Sequence, residues 1–245
     1  MTVAENEFRK ITRRSITPVV EDYLKAIYSF RQTGDAARTA ALAARLNVKP
    51  PTVTAMLKTL ADLSLIRYEP YRGVELTESG EQIALEVVRH HRLIELYLVE
   101  ALGFSWDEVH DEAEVLEHFI SEKLEARIAD YLGNPTHDPH GDPIPNLDGT
   151  LPDTTTHTLA DFSPAAREIR VVRVRDQNAD RLRYLAEIGL VPQATVKIVA
   201  VEPFDGPVTI QIGRKKIALD RQLARLIFVE ETLQKLRELK KQRHF

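Results

Sequence analysis

Residues 38–66 read RTAALAARLNVKPPTVTAMLKTLADLSLI, and the fold of the N-terminal part follows from them. Thr39 can cap a short helix whose apolar side is Leu42, Ala43 and Leu46. Residues 47–50 form a tight turn. Pro51 suits the first position of a second helix, and Val53, Met56, Leu57 and Leu60 recur at helical spacing along its inner face. Two short helices joined by a brief turn make a helix-turn-helix. The outer face of the second helix shows Thr52, Thr54, Ala55, Lys58 and Thr59. These are short hydrogen-bonding or cationic residues, suited to base edges and phosphates in a major groove. Thr52 and Thr54 lie in the first turn, where backbone N–H groups are also free to meet phosphate.

The flanks extend this unit. A first helix is expected over residues 17–32, with Thr17 as N-cap, Pro18 behind it, and Val20, Leu24, Ile27 and Tyr28 as an apolar stripe. Asp22 lies near its start, off that stripe, where a carboxylate meets the positive helix end. After the helix pair, two short strands, residues 66–69 and 74–76, flank a turn at residues 70–73 with Tyr71 and Arg72 at the tip. Thr77 caps the next helix. Residues 1–78 therefore read as a winged helix-turn-helix with a basic N-terminal arm (Arg9, Lys10, Arg13, Arg14), the arm taken as a solvated tail. Trihelical units of this kind also serve as protein-interaction modules. The threonine- and lysine-bearing face, with an arginine at the wing tip, favours double-stranded DNA. The contact candidates are Arg38, Thr39, Lys49, Pro51, Thr52, Thr54, Lys58 and Arg72.

A long helix is expected over residues 78–102. It holds HHRLIE (residues 90–95), where His91 and Glu95 are one turn apart. Ser105 and Glu108 form a capping box for the next helix. That helix carries HDEAEVLEH, residues 110–118. If it is helical throughout, His110, Glu114, Glu117 and His118 share one face. Two imidazoles and two carboxylates so placed suit a divalent metal; the plainer reading is a solvated acidic face. A third helix is expected over residues 121–131. Broad apolar faces on these helices suggest a homodimer.

Charge is segregated. Residues 1–78 hold 12 Lys/Arg and 9 Asp/Glu, residues 79–165 hold 4 and 18, and residues 166–245 hold 17 and 10. An acidic middle between basic ends is expected where cations are gathered in the centre and a polyanion is met at the N-terminal end.

Residues 134–165 are rich in Pro, Asp, Gly and Thr and read as loop and linker, with His137 and His140 as exposed loop residues. From Glu168 the pattern turns to period two, as in EIRVVRVRD, ATVKIVAVEP, VTIQIG and KKIALD, interrupted by a short helix over residues 181–190. Residues 166–230 predict a small β-barrel of about five strands. EETLQKLRELKKQRHF at the end reads as a basic amphipathic helix.

The chain has 245 residues, no cysteine and a net charge of −4. Disulfides, thiolate metal sites and cysteine nucleophiles are excluded. No apolar run approaches the roughly 20 residues that span a bilayer, and the first residues lack the apolar core of a signal peptide. We expect a cytoplasmic protein with no membrane contact and no small-molecule substrate. No nucleophile or general-base constellation appears, so we expect no enzyme; a metalloenzyme with a DNA-binding head and a metal-independent regulator are the other classes the residues allow.

HHRLIE, then HDEAEVLEH, then GNPTHDPHGDPIP (residues 133–145) and LAEIGLVP (residues 185–192), in this domain order, resemble the DtxR/MntR family of metal-dependent repressors. The resemblance covers nearly the whole chain. It implies a mainly α protein with a small β part. The parts are a winged helix-turn-helix (residues 1–78), an α-helical metal-binding and dimerisation domain (79–150), a linker (151–165) and a small β-barrel of FeoA or Src-homology-like type with the basic C-terminal helix (166–245). It implies a regulatory metal site at Asp22 (in VEDYLKAIY), Glu114, Glu117 and His118. It implies a second site at His91, Glu95 and His110, completed from the barrel by Asp176 in VRVRDQN, with Gln177 the weaker candidate. Oxygen donors at Glu114 and Asp22, where iron-responsive members place softer ligands, favour manganese(II), with iron(II) as the alternative. Lys25 stands where manganese-type members can place a second carboxylate, which favours two separate sites over a paired cluster. The function so implied is repression of metal-uptake genes at a palindromic operator.

Overall fold

In the computed structural model the described residues are 16–69, 73–162 and 168–231. Arg72 at the wing tip, the N-terminal arm and the C-terminal basic helix lie outside them. The described residues fall into two compact units, bounded by Met1–His91, Val115–Ser121 and Pro145–Thr150 for the first, and Arg92–Glu114, Glu122–Ile144 and Leu151–Phe245 for the second.

The first unit contains the helix-turn-helix. Helix α1 spans Pro18–Thr33, with the Thr17 side chain accepting from the Val20 N–H and Gly34 closing the helix in the left-handed conformation. Helix α2 is Thr39–Arg45, with Arg38 rather than Thr39 at the cap position. Helix α3 is Pro50–Asp62. Strands β1 (Ile66–Glu69) and β2 (Gly73–Leu76) pair antiparallel, Ile66 opposite Leu76. Helix α4, Glu78–Leu102, follows, and the Thr77 hydroxyl accepts from the Gly80 N–H at 3.2 Å. The core is the expected apolar stripes brought together. Leu24, Leu42, Val53, Leu57 and Leu60 are fully buried with Tyr23, Ile27, Leu65 and Val88. Truncating such a leucine costs about 2–5 kcal/mol. Gly80 is needed for space: a Cβ there would lie 2.0 Å from the Leu65 carbonyl oxygen.

The second unit has a helical and a β part. Helix α5 spans only Val109–Leu116, and α6 spans Glu122–Tyr131. Leu93 of α4, Ile128 and Ala129 of α6 and Ile144 form a small core, flanked by Leu96, Tyr97 and Leu132. The β part has β3 (Glu168–Val174), α7 (Ala179–Glu187), β4 (Thr195–Val201), β5 (Val208–Ile212), β6 (Lys215–Leu219), α8 (Arg221–Leu226) and β7 (Ile227–Glu231). The strands form one antiparallel sheet in the order β6-β5-β4-β3-β7. Alternation is clean in β4, where Val196 and Ile198 are buried and Thr195, Lys197 and Val199 face outward.

Three expectations change here. The expected barrel is an open sheet among the described residues, because β6 and β7 are its two edges and do not pair with one another. Strand β7 includes Glu230 and Glu231, read above as the start of the terminal helix; pairing of Ile227, Val229 and Glu231 with β3 fixes them as strand. Likewise, residues 134–165 are not an unpacked linker throughout. Ile144 and Leu159 are buried, and His140, read as exposed, is 4% exposed. Backbone polar groups in this loop are satisfied by pairing with the sheet: Val174 N–H donates to the His140 carbonyl at 2.8 Å and Leu159 N–H to that of Ile227 at 2.9 Å, which lets an irregular segment be buried.

Candidate metal centre and nucleic-acid face

The HDEAEVLEH stretch does not present one face. Helix α5 ends at Leu116, and the Phe119 N–H donates back to the Leu116 carbonyl at 3.0 Å. His110 and Glu114 are on the helix, whereas Glu117 and His118 lie in the turn beyond it. Their side chains therefore leave in different directions and join different neighbours.

In the first unit, Asp22, Glu117 and His118 come together, with a ligand atom from each within 4.8 Å of the others. His118 Nε2 lies 3.0 Å from Asp22 Oδ1, and its Nδ1 lies 2.6 Å from Glu21 Oε2. With both ring nitrogens donating, the imidazolium is favoured. The hydrogen bonds to Asp22 and then Glu21 lift its pKa to about 10 against the opposing effect of burial. Beside it, the Glu117 carboxylate is wholly buried. It accepts from Lys25 Nζ at 2.8 and 2.9 Å, and His91 Nδ1 lies 2.5 Å from its Oε2. Lys25 Nζ is also 3.1 Å from His91 Nδ1. Glu21 and Lys25 are functional neighbours that spacing did not single out, because their partners are roughly ninety residues away in the chain.

This donor set fits a divalent cation. Three carboxylates converge on one imidazole, and the proton on His118 supplies the positive charge they call for. When that proton leaves, the ring becomes a nitrogen donor beside oxygen donors, with no sulfur in the set.

In the second unit, Glu95 is 2% exposed and faces two imidazoles: His110 Nδ1 lies 3.5 Å from its Oε1, and His140 Nδ1 lies 3.6 Å from its Oε2. Glu114 faces His110 Nε2 at 3.7 Å. Asp138 is buried beside Glu95 and His140. Burial, then the charges of Asp142 and Glu95, raise its pKa to about 8. Within the second unit, Glu95 and His110, two of the residues expected in the second site, lie together. His91 pairs with Lys25 and Glu117 in the first unit. Asp176 pairs with Arg181, Nε to Oδ2 at 2.7 Å, and accepts from the Asn178 N–H at 3.0 Å at the start of α7.

On the nucleic-acid face, Arg38, Lys49, Pro51, Thr52 and Lys58 are exposed, and Thr39 and Thr54 are partly so. Lys49 is at the N-cap of α3 and uses no side-chain cap bond. The Thr54 and Thr59 hydroxyls turn back on the carbonyls of Pro50 and Ala55, at 3.2 and 3.3 Å. Arg72 lies outside the described residues.

Three segments of the chain match known protein families. Residues 15–74 match the family described as iron dependent repressor, N-terminal DNA binding domain; residues 77–146 match its metal binding and dimerisation domain; residues 157–231 match the FeoA domain. The iron-dependent repressor IdeR of Mycobacterium tuberculosis is 34% identical over 228 residues, covering 88% of this chain and 98% of that protein. The diphtheria toxin repressor of Corynebacterium diphtheriae is 29% identical over 229 residues, covering 89% and 99%. Among solved structures, a manganese-dependent transcriptional repressor in complex with manganese is 38% identical, with a TM-score of 0.81 over 87% of this chain and all (100%) of that one. The manganese regulator SloR is 30% identical, with a TM-score of 0.74 over 89% of this chain and 100% of that one. Among the described residues no helix is long and apolar enough to cross a membrane. The DNA-binding, metal-binding and FeoA matches follow one another along the chain, and the 34% identical relative is covered over 98% of its length, so the chain belongs to the DtxR family of metal-dependent transcriptional repressors.

Proposed function

We propose that this repressor answers to manganese(II), and that it represses metal-uptake genes in the cytoplasm by binding a palindromic operator as a homodimer. The observation that carries the choice of metal is the Asp22–Glu117–His118 cluster, whose donors are oxygen and imidazole nitrogen alone. Such donors suit manganese(II) better than a softer ion. Glu114, beside His110, is the fourth residue proposed for the regulatory site, and it too offers oxygen. The second site is proposed around Glu95 and His110. Iron(II) is the second reading, and the iron-dependent relative at 34% identity favours it. We assign the protein no catalytic activity.

Asp22 belongs to helix α1 of the DNA-binding segment, and Glu117 and His118 to the metal-binding and dimerisation segment. A bound divalent cation would supply positive charge shared by all three side chains. Asp22 and Glu21 orient the His118 ring, and His118 must release its proton before its nitrogen can act as a donor. Holding these residues in common ties α1, and with it the recognition helix α3, to the dimerising helices. Two recognition helices of a dimer then keep the separation that two major-groove entries demand. The coupling of metal to DNA is the difference in metal affinity between the tied and untied states. Exposed Leu102, Leu124 and Tyr131 in the dimerisation segment are 58%, 48% and 67% accessible in the single chain and are apolar surface a second copy would cover.

The test is a DNA gel shift in chelated buffer with manganese(II), iron(II) or zinc(II) restored singly. Manganese should restore binding at the lowest free concentration. Asp22→Ala should abolish the metal response while the dimer persists in sedimentation. A normal metal response in that variant would refute the tether, and iron acting at lower concentration than manganese would refute the metal assignment.

A further inference from the structure

The outward face of α3 carries methyl groups where a helix that reads DNA by hydrogen bonds would carry longer polar side chains. Residues 50–62 read PPTVTAMLKTLAD and contain no Arg, Asn, Gln or Glu. Arg, Asn and Gln grip a base edge through two bonds at once, and Glu accepts from cytosine. The one carboxylate, Asp62, is the last residue of the helix, away from the N-terminal residues that meet base edges in a helix-turn-helix.

Val53, Leu57 and Leu60 are fully buried, and helical spacing puts Pro51, Ala55 and Thr59 on the opposite side. All three are exposed, as is Lys58, and Thr54 is partly exposed at the margin. The two threonines have already used their donors. Thr54 Oγ1 donates to the Pro50 carbonyl at 3.2 Å, and Thr59 Oγ1 to the Ala55 carbonyl at 3.3 Å. These are bonds to the residue four earlier in the helix, the usual local partner of such a hydroxyl. A hydroxyl has one proton, so neither threonine keeps one for a purine N7 or a thymine O4. What remains of each is an acceptor lone pair and a γ-methyl group.

The face is also low. Ala55 ends at Cβ and the threonines one atom further, so the helix can come close to the floor of a major groove. The groove presents one apolar group there, the C5-methyl of thymine, and alanine and threonine methyls are its natural contacts.

We infer that α3 recognises thymine through its C5-methyl group, packed against the Ala55 Cβ and the methyls of Thr54 and Thr59, in place of hydrogen bonds to base edges. Lys58 stands at the flank as a cation for phosphate. This deepens the operator binding proposed above and rests on α3 being the helix that enters the groove.

The probe is a DNA duplex enriched from a randomised pool by the full-length protein with manganese(II). Each thymine in turn is replaced by deoxyuridine, which lacks the methyl and keeps every hydrogen-bonding group. Affinity is read by fluorescence anisotropy at one salt concentration. Burying a methyl group is worth about fourfold in affinity, so at least one thymine in each half-site should cost about that much when replaced. This arm uses the unaltered protein and does not depend on the folding of a variant. The pair Thr54→Ser/Thr59→Ser keeps both hydroxyls and removes both methyls, and Thr54→Val/Thr59→Val does the reverse. The deoxyuridine penalty should shrink in the serine pair and in Ala55→Gly and persist in the valine pair, a coupling to single bases that a merely structural role would not give. Deoxyuridine duplexes that all bind as tightly as thymine overturn the inference. A penalty unchanged in both the serine pair and Ala55→Gly overturns it equally. If the protein enriches and holds no duplex at all, the operator binding on which the inference rests fails with it.

Discussion

Replacing Lys25 by Met tests how the acidic cluster is held without metal. Lys25 Nζ lies 2.8 and 2.9 Å from the two oxygens of Glu117, whose side chain is 0% exposed against 12% for the lysine. Removing one partner of a buried pair costs about 3–5 kcal/mol, because the other charge is left without compensation. His91 Nδ1, 2.5 Å from the same carboxylate, can take up part of that charge, so we expect the low end of the range. At about 2–4 °C per kcal/mol for a protein of this size, a loss of about 3 kcal/mol lowers Tm by about 6–12 °C. The assay is thermal unfolding by circular dichroism of the metal-free protein, with Glu117→Gln and the double variant alongside. The double variant should lose less than the sum of the singles, since both single changes remove the same lysine–carboxylate interaction. A Tm within about 2 °C of wild type, or full additivity, would refute the argument that this pair is a buried, mutually dependent charge.

His118 makes a pH prediction. Its folded pKa is raised from 6.5 to about 10 by Asp22 and Glu21, so its stabilising contribution is full below the unfolded value and disappears as pH rises through about 10. Metal must displace that proton, so manganese affinity of the first site should climb by up to about tenfold per pH unit between pH 6.5 and 8; calorimetry in two buffers of different ionisation enthalpy would show about one proton released, and a flat profile would sink the idea. Gly80→Ala should destabilise the first unit by several degrees in a melting scan, because its Cβ would meet the Leu65 carbonyl oxygen at 2.0 Å; wild-type stability would show that the contact relaxes freely. Lys58→Ala should weaken DNA binding about equally for all sequences and reduce the slope of log affinity against log salt by about 1 per site; fluorescence anisotropy at three salt concentrations decides it, and an unchanged slope would remove Lys58 from the phosphate face.

Local chemistry in the chain was enough for the helix-turn-helix. Thr17, Pro18 and the Val20–Leu24–Ile27 stripe define α1 because caps and apolar spacing act within one helix, and the structure begins that helix at Pro18. The same holds for α4, read as residues 78–102 and found as Glu78–Leu102, and for period-two β4. Ligand-type residues were visible as well, since imidazoles and carboxylates at helical spacing are a local pattern. Where α5 stops was not local. The stretch could continue as helix to His118, and only packing ends it at Leu116 and sends Glu117 and His118 toward α1. The burial of HDPHGD was hidden for a related reason. Its composition is that of an exposed loop, and it can be buried because the sheet satisfies its backbone groups, as at His140 with Val174. Lys25 and Glu21 acquire their roles from partners 92 and 97 residues away. Sequence alone therefore determined which elements form and which side chains could bind a cation. Tertiary structure decided which of those side chains share a site, because convergence depends on long-range packing that no local spacing encodes.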